Sequence, residues 1–203
     1  CLRVHCGKIS RAAYHDQLTR AGIAARPVPD VDSALILESP VPVEALPGFH
    51  LGEVSVQDAA AQLAAVLLDA RPGERVLDAC AAPGGKAAHL LERVPQASLV
   101  ALDVDAQRLG RVRENFARLG LAGAVTQGNA ADPPGWWDGQ PFDRILLDAA
   151  RGGDRLGGVA RCAIPDCERV VRKKARAAAM AGLRINQHRV DRVATGAKDV
   201  GAG

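Results

Sequence analysis

The sequence has no run of apolar residues approaching the ~18 that a helical membrane span requires, and no basic N-terminal segment leading into a long apolar stretch. A membrane protein is therefore not expected, and the reading is a soluble, cytoplasmic chain. Cysteine is scarce, odd in number and scattered: Cys1, Cys6, Cys80, Cys162 and Cys167. That pattern excludes the disulfide framework of a small secreted domain and leaves reduced thiols. Cys162 and Cys167, even with His188 further on, lack the second pair of ligands of a structural zinc site, and Cys1, His5 and Cys6 fall short in the same way. No metal is expected. An excess of one charge sign is also missing overall, since 26 Lys+Arg nearly balance 23 Asp+Glu for a net +3. The balance is uneven along the chain, however. Residues 1–150 carry 14 basic against 18 acidic side chains, and residues 151–203 carry 12 against 5. A basic tail of this kind holds phosphates or remains a solvated, disordered segment.

What is present is an alternation of strand and helix signals. Leu2-Arg3-Val4 reads as a short strand, Ser10 to Gly22 as a helix capped by Ser10 and stopped by Gly22, and Ala34 to Leu37 as a second strand. Pro40, Pro42 and Pro47 then lead to Gly48 and Gly52, where this first piece ends. Some 50 residues bury too little to stand alone, so the piece is expected to dock on the larger segment C-terminal to it. From Val56 to Asp69, Ala59, Ala60, Leu63, Val66 and Leu67 recur at helical spacing. Arg75 to Asp78 is a buried strand ending on a carboxylate, and Gly84-Gly85-Lys86 opens a helix running to about Val94. Ser98 to Leu102 is a strand ending at Asp103, Ala106 to Leu119 a helix, Ala124 to Thr126 a weak strand, and Phe142 to Leu147 a strand ending on Asp148.

Parallel strands need long crossovers and helices supply them, so this order predicts an α/β fold with a mostly parallel sheet and helices on both faces. Three segments are expected: a small α+β N-terminal subdomain at 1–52, an α/β core at 53–149, and a basic, divergent tail at 150–203, for which disorder is one of the two readings above. Ligands of such sheets sit beyond the carboxyl ends of the strands, where Asp78, Asp103 and Asp148 all fall. The loop from Asp78 to Lys86 combines small alanines, two glycines and a helix N-terminus, which lets the backbone approach a ligand closely. Its spacing fits neither GxxxxGK[ST] nor GxGxxG, so a phosphate-cradling loop and a dinucleotide fingerprint are both disfavoured. Asp103 stands where a carboxylate accepts hydrogen bonds from a ribose diol, and Asp105 is the better N-cap for the next helix.

Four runs carry a resemblance: Ser55 to Gln62, Arg75 to Lys86, Ala101 to Asp105 with Gln107-Arg108-Leu109, and Phe142 to Ala149. Together with Leu2-Arg3-Val4 and Pro47-Gly48-Phe49, they look like successive motifs of the bacterial ribosomal RNA small subunit methyltransferase B family. The resemblance covers roughly Leu2 to Ala149. It implies a Rossmann-like methyltransferase core, S-adenosylmethionine as cofactor, and RNA (cytosine-C5) methylation of 16S ribosomal RNA, an rRNA-processing transferase reaction. By the same resemblance Cys80, Ala81, Ala82, Pro83, Gly84, Gly85, Lys86, Asp103, Asn129 and Asp148 surround the cofactor.

Two departures qualify it. Where the family has Asp near the adenine, this chain has Asn129, which hydrogen-bonds but supplies no charge. After Asp148-Ala149 the family continues Pro-Cys and later brings the cysteine that attacks C6 of cytosine, whereas this chain reads Ala150-Arg151-Gly152-Gly153. No catalytic residue is therefore assigned. The alternatives are a non-catalytic module binding S-adenosylmethionine or RNA, and a methyltransferase acting on nitrogen or oxygen, which needs no thiol. Arg172-Lys173-Lys174, within Val170 to Ala179, suggests a basic helix or a solvated charge run. The abrupt change after Asp148 further suggests a tail read out of the ancestral frame or from a degraded gene copy, and a chain lacking the family's helical RNA-binding domain ahead of Leu2. Translation of the coding DNA in all three frames tests the first point; no frame restoring Pro-Cys after Asp-Ala would sink it.

Overall fold

A computed structural model describes residues 1–148 and the backbone of Arg169–Arg172. The chain forms two sheets in succession. The first contains β1 (Leu2–Val4), β2 (Ala25–Pro27), β3 (Ala34–Leu37) and β4 (Val54–Val56) in the order β2-β3-β1-β4, every pair antiparallel. Helix α1 (Arg11–Arg20) covers it. The Ser10 side chain accepts from the Ala13 N–H and caps the first turn. Tyr14 and Leu18, four residues apart and so on one helical face, are fully buried against Leu2, Val4, Leu35, Leu46 and Val54. The Tyr14 hydroxyl donates to the Pro47 carbonyl at 2.9 Å, so its polar end is satisfied.

The second sheet contains β5 (Arg75–Asp78), β6 (Ser98–Asp103), β7 (Ala124–Gln127), β8 (Arg144–Leu147) and β9 (Arg169–Arg172), ordered β7-β6-β5-β8-β9 and parallel throughout. Its crossovers include α3 (Gly85–Arg93) and α4 (Ala106–Leu119), and α2 (Ala59–Leu68) precedes β5. Both faces are apolar, as a parallel sheet requires. Val76, Leu99 and Ala101 face α2, α3 and α4 in one cluster with Leu68, Leu90, Leu91, Val112 and Phe116. Leu77, Leu102 and Ile145 face the other way with Phe142. Among the described residues that second face is covered by the segment carrying Trp136 and Trp137, not by helices as the alternation predicted. The basic helix given as one of two readings of Val170 to Ala179 does not form at its start: Val170 to Arg172 pair with β8 as strand. Residues 173–203, including most of that expected basic helix, lie outside the described residues, as do Cys162, Cys167 and His188.

The small sheet docks on all three helices of the core through polar side chains. Gln62 of α2, fully buried, donates to the Leu2 and Gln57 carbonyls at 3.1 and 3.2 Å and accepts from the Ser33 hydroxyl at 2.7 Å. Arg118 of α4 donates to the Phe49 and Val54 carbonyls at 2.7 and 3.0 Å and to the Ser55 hydroxyl at 3.0 Å, and lies 4.1 Å over the Phe49 ring. Arg3 of β1 reaches α3. Its guanidinium forks onto both carboxylate oxygens of Glu92 at 2.9 and 2.6 Å, with both side chains almost completely buried.

Candidate functional site

β5 begins with the half-buried Arg75, is apolar and buried at Val76 and Leu77, and ends on the buried Asp78; the chain then turns through Ala79 to Gly84 before α3 starts at Gly85. The turn is tied to its neighbours at almost every residue. The Ala79 N–H donates to the Leu146 carbonyl of β8 and the Ala81 N–H to the Leu102 carbonyl of β6, each at 2.9 Å. The Ala82 N–H donates to Asp103 Oδ2 at 3.1 Å, its carbonyl accepts from Arg108 Nη2 at 2.8 Å, and the Pro83 carbonyl accepts from Asn115 Nδ2 at 2.9 Å. Gly84 adopts φ +98°, and a Cβ there would lie 3.1 Å from the Cα of Val112. Both conformation and proximity demand glycine at that point.

The charged groups of the rim are arranged around this turn. Lys86 Nζ pairs with Asp148 Oδ2 at 2.6 Å, both side chains about three-quarters buried. Asp103 is 4% exposed; its Oδ1 accepts from the Asp105 N–H at 3.1 Å and lies 3.7 Å from Arg108 Nη1. Asp105 caps α4 by accepting from the Gln107 and Arg108 N–H groups. Asp78 is 1% exposed and neither of its oxygens completes a hydrogen bond. Burial pushes its carboxyl up to about 7, the charges of Asp148 and Asp103 push the same way, and Lys86 and the Cys80 amide oppose them. The Cys80 thiol is pushed up to about 11, first by burial and then by Asp78, Asp103 and Asp148.

The residues singled out by sequence therefore fall into two groups. Cys80 to Lys86, Asp103 and Asp148 are brought together at the carboxyl ends of β5, β6 and β8. Asn129 is linked to them through backbone alone: the Gly128 N–H donates to the Asp103 carbonyl at 3.0 Å, while the Asn129 side chain accepts from the Ala131 N–H at 3.0 Å and its carbonyl from the Trp136 indole at 2.7 Å. Arg108, which holds the Ala82 carbonyl, and Val104, which follows Asp103 and is 58% exposed, fall within the motif runs but were not among the expected site residues. Arg108 stands three residues beyond the Asp105 cap and so faces the turn, a signal present in the spacing. Asp148 and Asp103 are paired with Lys86 and Arg108, and Asp78, its carboxyl pushed up to about 7, adds a partial negative charge at neutral pH; the site carries no excess of cations and suits a ligand bearing positive charge and hydroxyl groups better than a phosphate. Among the described residues no group of His, Cys, Asp and Glu is arranged to hold a metal ion, and no helix is long and apolar enough to cross a membrane.

Comparison with known proteins agrees with this architecture. Residues 65–160 match the family model described as 16S rRNA methyltransferase RsmB/F, and residues 1–44 match the ferredoxin-like domain of the RsmF/B-like methyltransferases. The ribosomal RNA small subunit methyltransferase B of Vibrio cholerae serotype O1 is 54% identical over 148 residues, 73% of this chain and 34% of the relative. That of Xanthomonas campestris pv. campestris is 54% identical over 150 residues, again 73% and 34%. The chain thus spans about a third of the length of the curated relatives it matches. Among solved structures, a methyltransferase homologue from Pyrococcus horikoshii superposes with TM-score 0.66 at 34% identity, covering 75% of this chain and 50% of that one. NSun6 from the same organism superposes with TM-score 0.65 at 20% identity, covering 73% of this chain and 62% of that one, and shares the fold. With a ferredoxin-like front piece and the β5–α3 turn both matched, the chain belongs to the 16S rRNA methyltransferase RsmB/F family.

Proposed function

We propose that this chain binds S-adenosylmethionine at the rim of β5, β6 and β8 and derives from an RNA (cytosine-C5) methyltransferase acting on 16S ribosomal RNA in the cytoplasm. The observation carrying the reading is the junction of Asp103 with the turn: one carboxylate holds the Ala82 amide at the point where β6 ends beside the start of α3. In this reading Cys80 to Lys86 form the wall against the amino-acid part of the cofactor, Asp103 accepts from the ribose, Val104 offers an apolar surface to the adenine, and Asn129 lies near that base. The unsatisfied, buried carboxylate of Asp78 and its neighbour Asp148 fit a ligand with a sulfonium and an ammonium group. Bound there, the cofactor supplies an electrophilic methyl group. The partition at 1–52, 53–149 and 150–203 belongs to the same proposal, with the first piece as a support for the second.

Binding is better supported than turnover. Carbon-5 of cytosine becomes nucleophilic when a thiolate adds at C6. Cys80 sits in the cofactor turn with a thiol held protonated by burial and by three carboxylates, the reverse of the electropositive surroundings that activate a cysteine. The second reading, a non-catalytic cofactor- or RNA-binding module, rests on that observation. Calorimetric titration with S-adenosylmethionine tests the pocket, and absence of binding would refute it. Tritium transfer from labelled cofactor to a 16S rRNA transcript separates the two readings, with incorporation at cytosine favouring the enzyme.

A further inference from the structure

We infer that Arg3 is a positioning residue for the cofactor turn, acting from the small sheet across its joint with α3; the inference rests on the cofactor reading above. Arg3 lies in the middle of β1 and is 1% exposed. Besides Glu92, its Nη1 donates to the carbonyl of Gly85 at 2.7 Å and to Gln57 Oε1 at 2.5 Å. Gly85 is the first residue of α3, and Glu92 lies seven residues on, two turns along the same helical face. A single guanidinium therefore holds the backbone of Gly85 and the carboxylate of Glu92, residues whose Cα atoms are about 10 Å apart along the axis, fixing both the helix's rotation and its advance towards the turn. Arginine suits the task because its fork is planar, permanently charged and presents five donors in fixed geometry.

The grip falls at the sensitive end. A Cβ on Gly84 would lie 3.1 Å from the Val112 Cα, so the turn has little room to shift, and Lys86, the residue after Gly85, makes the 2.6 Å pair with Asp148. A shift of Gly85 moves the turn and that pair together. Arg118 provides an internal control. It docks the same small sheet onto α4 through three hydrogen bonds and the Phe49 ring, and none of those bonds touches the turn. Loss of either arginine weakens the joint, but loss of Arg3 alone also releases Gly85.

The test is calorimetric titration of S-adenosylmethionine into the full chain and its Arg3→Met, Arg3→Lys and Arg118→Met variants, with Tm measured for each. Arg3→Met is expected to raise Kd several-fold, up to a ceiling of ~10- to 100-fold set by the full worth of a hydrogen bond from a charged group, since that bond is also present in the unliganded chain. Arg3→Lys, which keeps the charge beside Glu92 but not the fork, is expected to fall between it and the parent. Arg118→Met is expected to lower Tm with Kd unchanged within about twofold. Equal Kd for Arg3→Met and the parent, or equal rises for Arg3→Met and Arg118→Met, would overturn the inference. Should Arg3→Met fail to fold, Arg3→Lys decides, and a parent-like Kd overturns it. A parent chain that does not bind at all refutes the cofactor reading, and the inference falls with it.

Discussion

Asp103→Ala is expected to separate two functions of one carboxylate. Inside the protein Asp103 accepts from the Ala82 and Asp105 amides, both at 3.1 Å, and is 4% exposed. Hydrogen bonds to an ionised group contribute ~1.5–3 kcal/mol each when short, and these lie on the long side of the charge-assisted range. The lower half of that range for each of the two bonds gives a stability loss of ~3–4.5 kcal/mol. Arg108 adds little, at 3.7 Å and half-exposed. A domain with ~5–15 kcal/mol of stability stays folded after such a loss. The proposed ribose contact adds a second cost confined to binding, ~1–3 kcal/mol, or a five- to 150-fold rise in Kd. Urea unfolding without cofactor reads the first quantity and calorimetric titration, well below the variant's Tm, reads the second. Asp103→Asn is the companion variant, keeping one acceptor for Ala82 while losing the charge. A folded Asp103→Ala protein whose Kd stays within twofold of the parent would refute the ribose assignment, whatever its stability.

Two further predictions concern stability. Glu92→Ala strands the buried Arg3 charge and is expected to cost ~3–5 kcal/mol in urea unfolding, whereas replacing Arg3 and Glu92 together by Met costs less than the sum of the single changes; strict additivity would show that the pair is not coupled. Asp78 holds its proton more tightly folded (about 7) than unfolded (3.8). Its contribution is therefore fully present below pH ~4 and lost as pH rises through 7, on the order of 4 kcal/mol for three units. Asp78→Asn should lack that component, and a parent-minus-variant difference that stays flat between pH 4.5 and 7.5 contradicts it.

Where the chain repeats a simple period, the fold was legible. The α4 run, with Leu109, Val112, Phe116 and Leu119 buried on one face and Asp105 and Gly120 at its ends, announces itself by spacing and caps. The α1 run does the same through Ser10. Short elements carry no such signal. β2 is three residues, half-exposed to exposed, and ends on a proline; β4 ends at Val56, whose place two residues before the Asp58 cap let it pass for the start of α2. For Val170 to Arg172 the charges suggested a basic helix or a solvated run, and parallel pairing with β8, which no local pattern announces, makes it strand. The candidate rim was legible because strands of a parallel sheet end on the same side, so three terminal aspartates had to share an edge. Arg3 was not, because its partners lie 54, 82 and 89 positions away and no local pattern distinguishes a docking arginine from a solvated one.

Cys80 is where the electrostatics of the site bear most directly on its chemistry. With a thiol pushed from 9.0 up to about 11, the thiolate fraction at pH 8 falls from roughly a tenth to about a thousandth. Without cofactor, alkylation of Cys80 by iodoacetamide at pH 8, followed by peptide mass spectrometry, is expected to run ~100-fold slower than for a thiol of ordinary pKa. Labelling at the ordinary rate would mean that burial and the carboxylates do not govern this residue. The same acids that suit the turn to a cationic cofactor suppress the thiolate that cytosine attack needs. One cysteine cannot serve both ends, so a thiolate for C6 has to be supplied from outside the cofactor turn, where the aspartates do not raise its pKa. In the cytosine-methylating reading proposed above, that thiolate therefore comes from outside the β5–α3 turn, and the change from the family's Pro-Cys to Ala150-Arg151 after Asp148 weighs towards the binding-only reading.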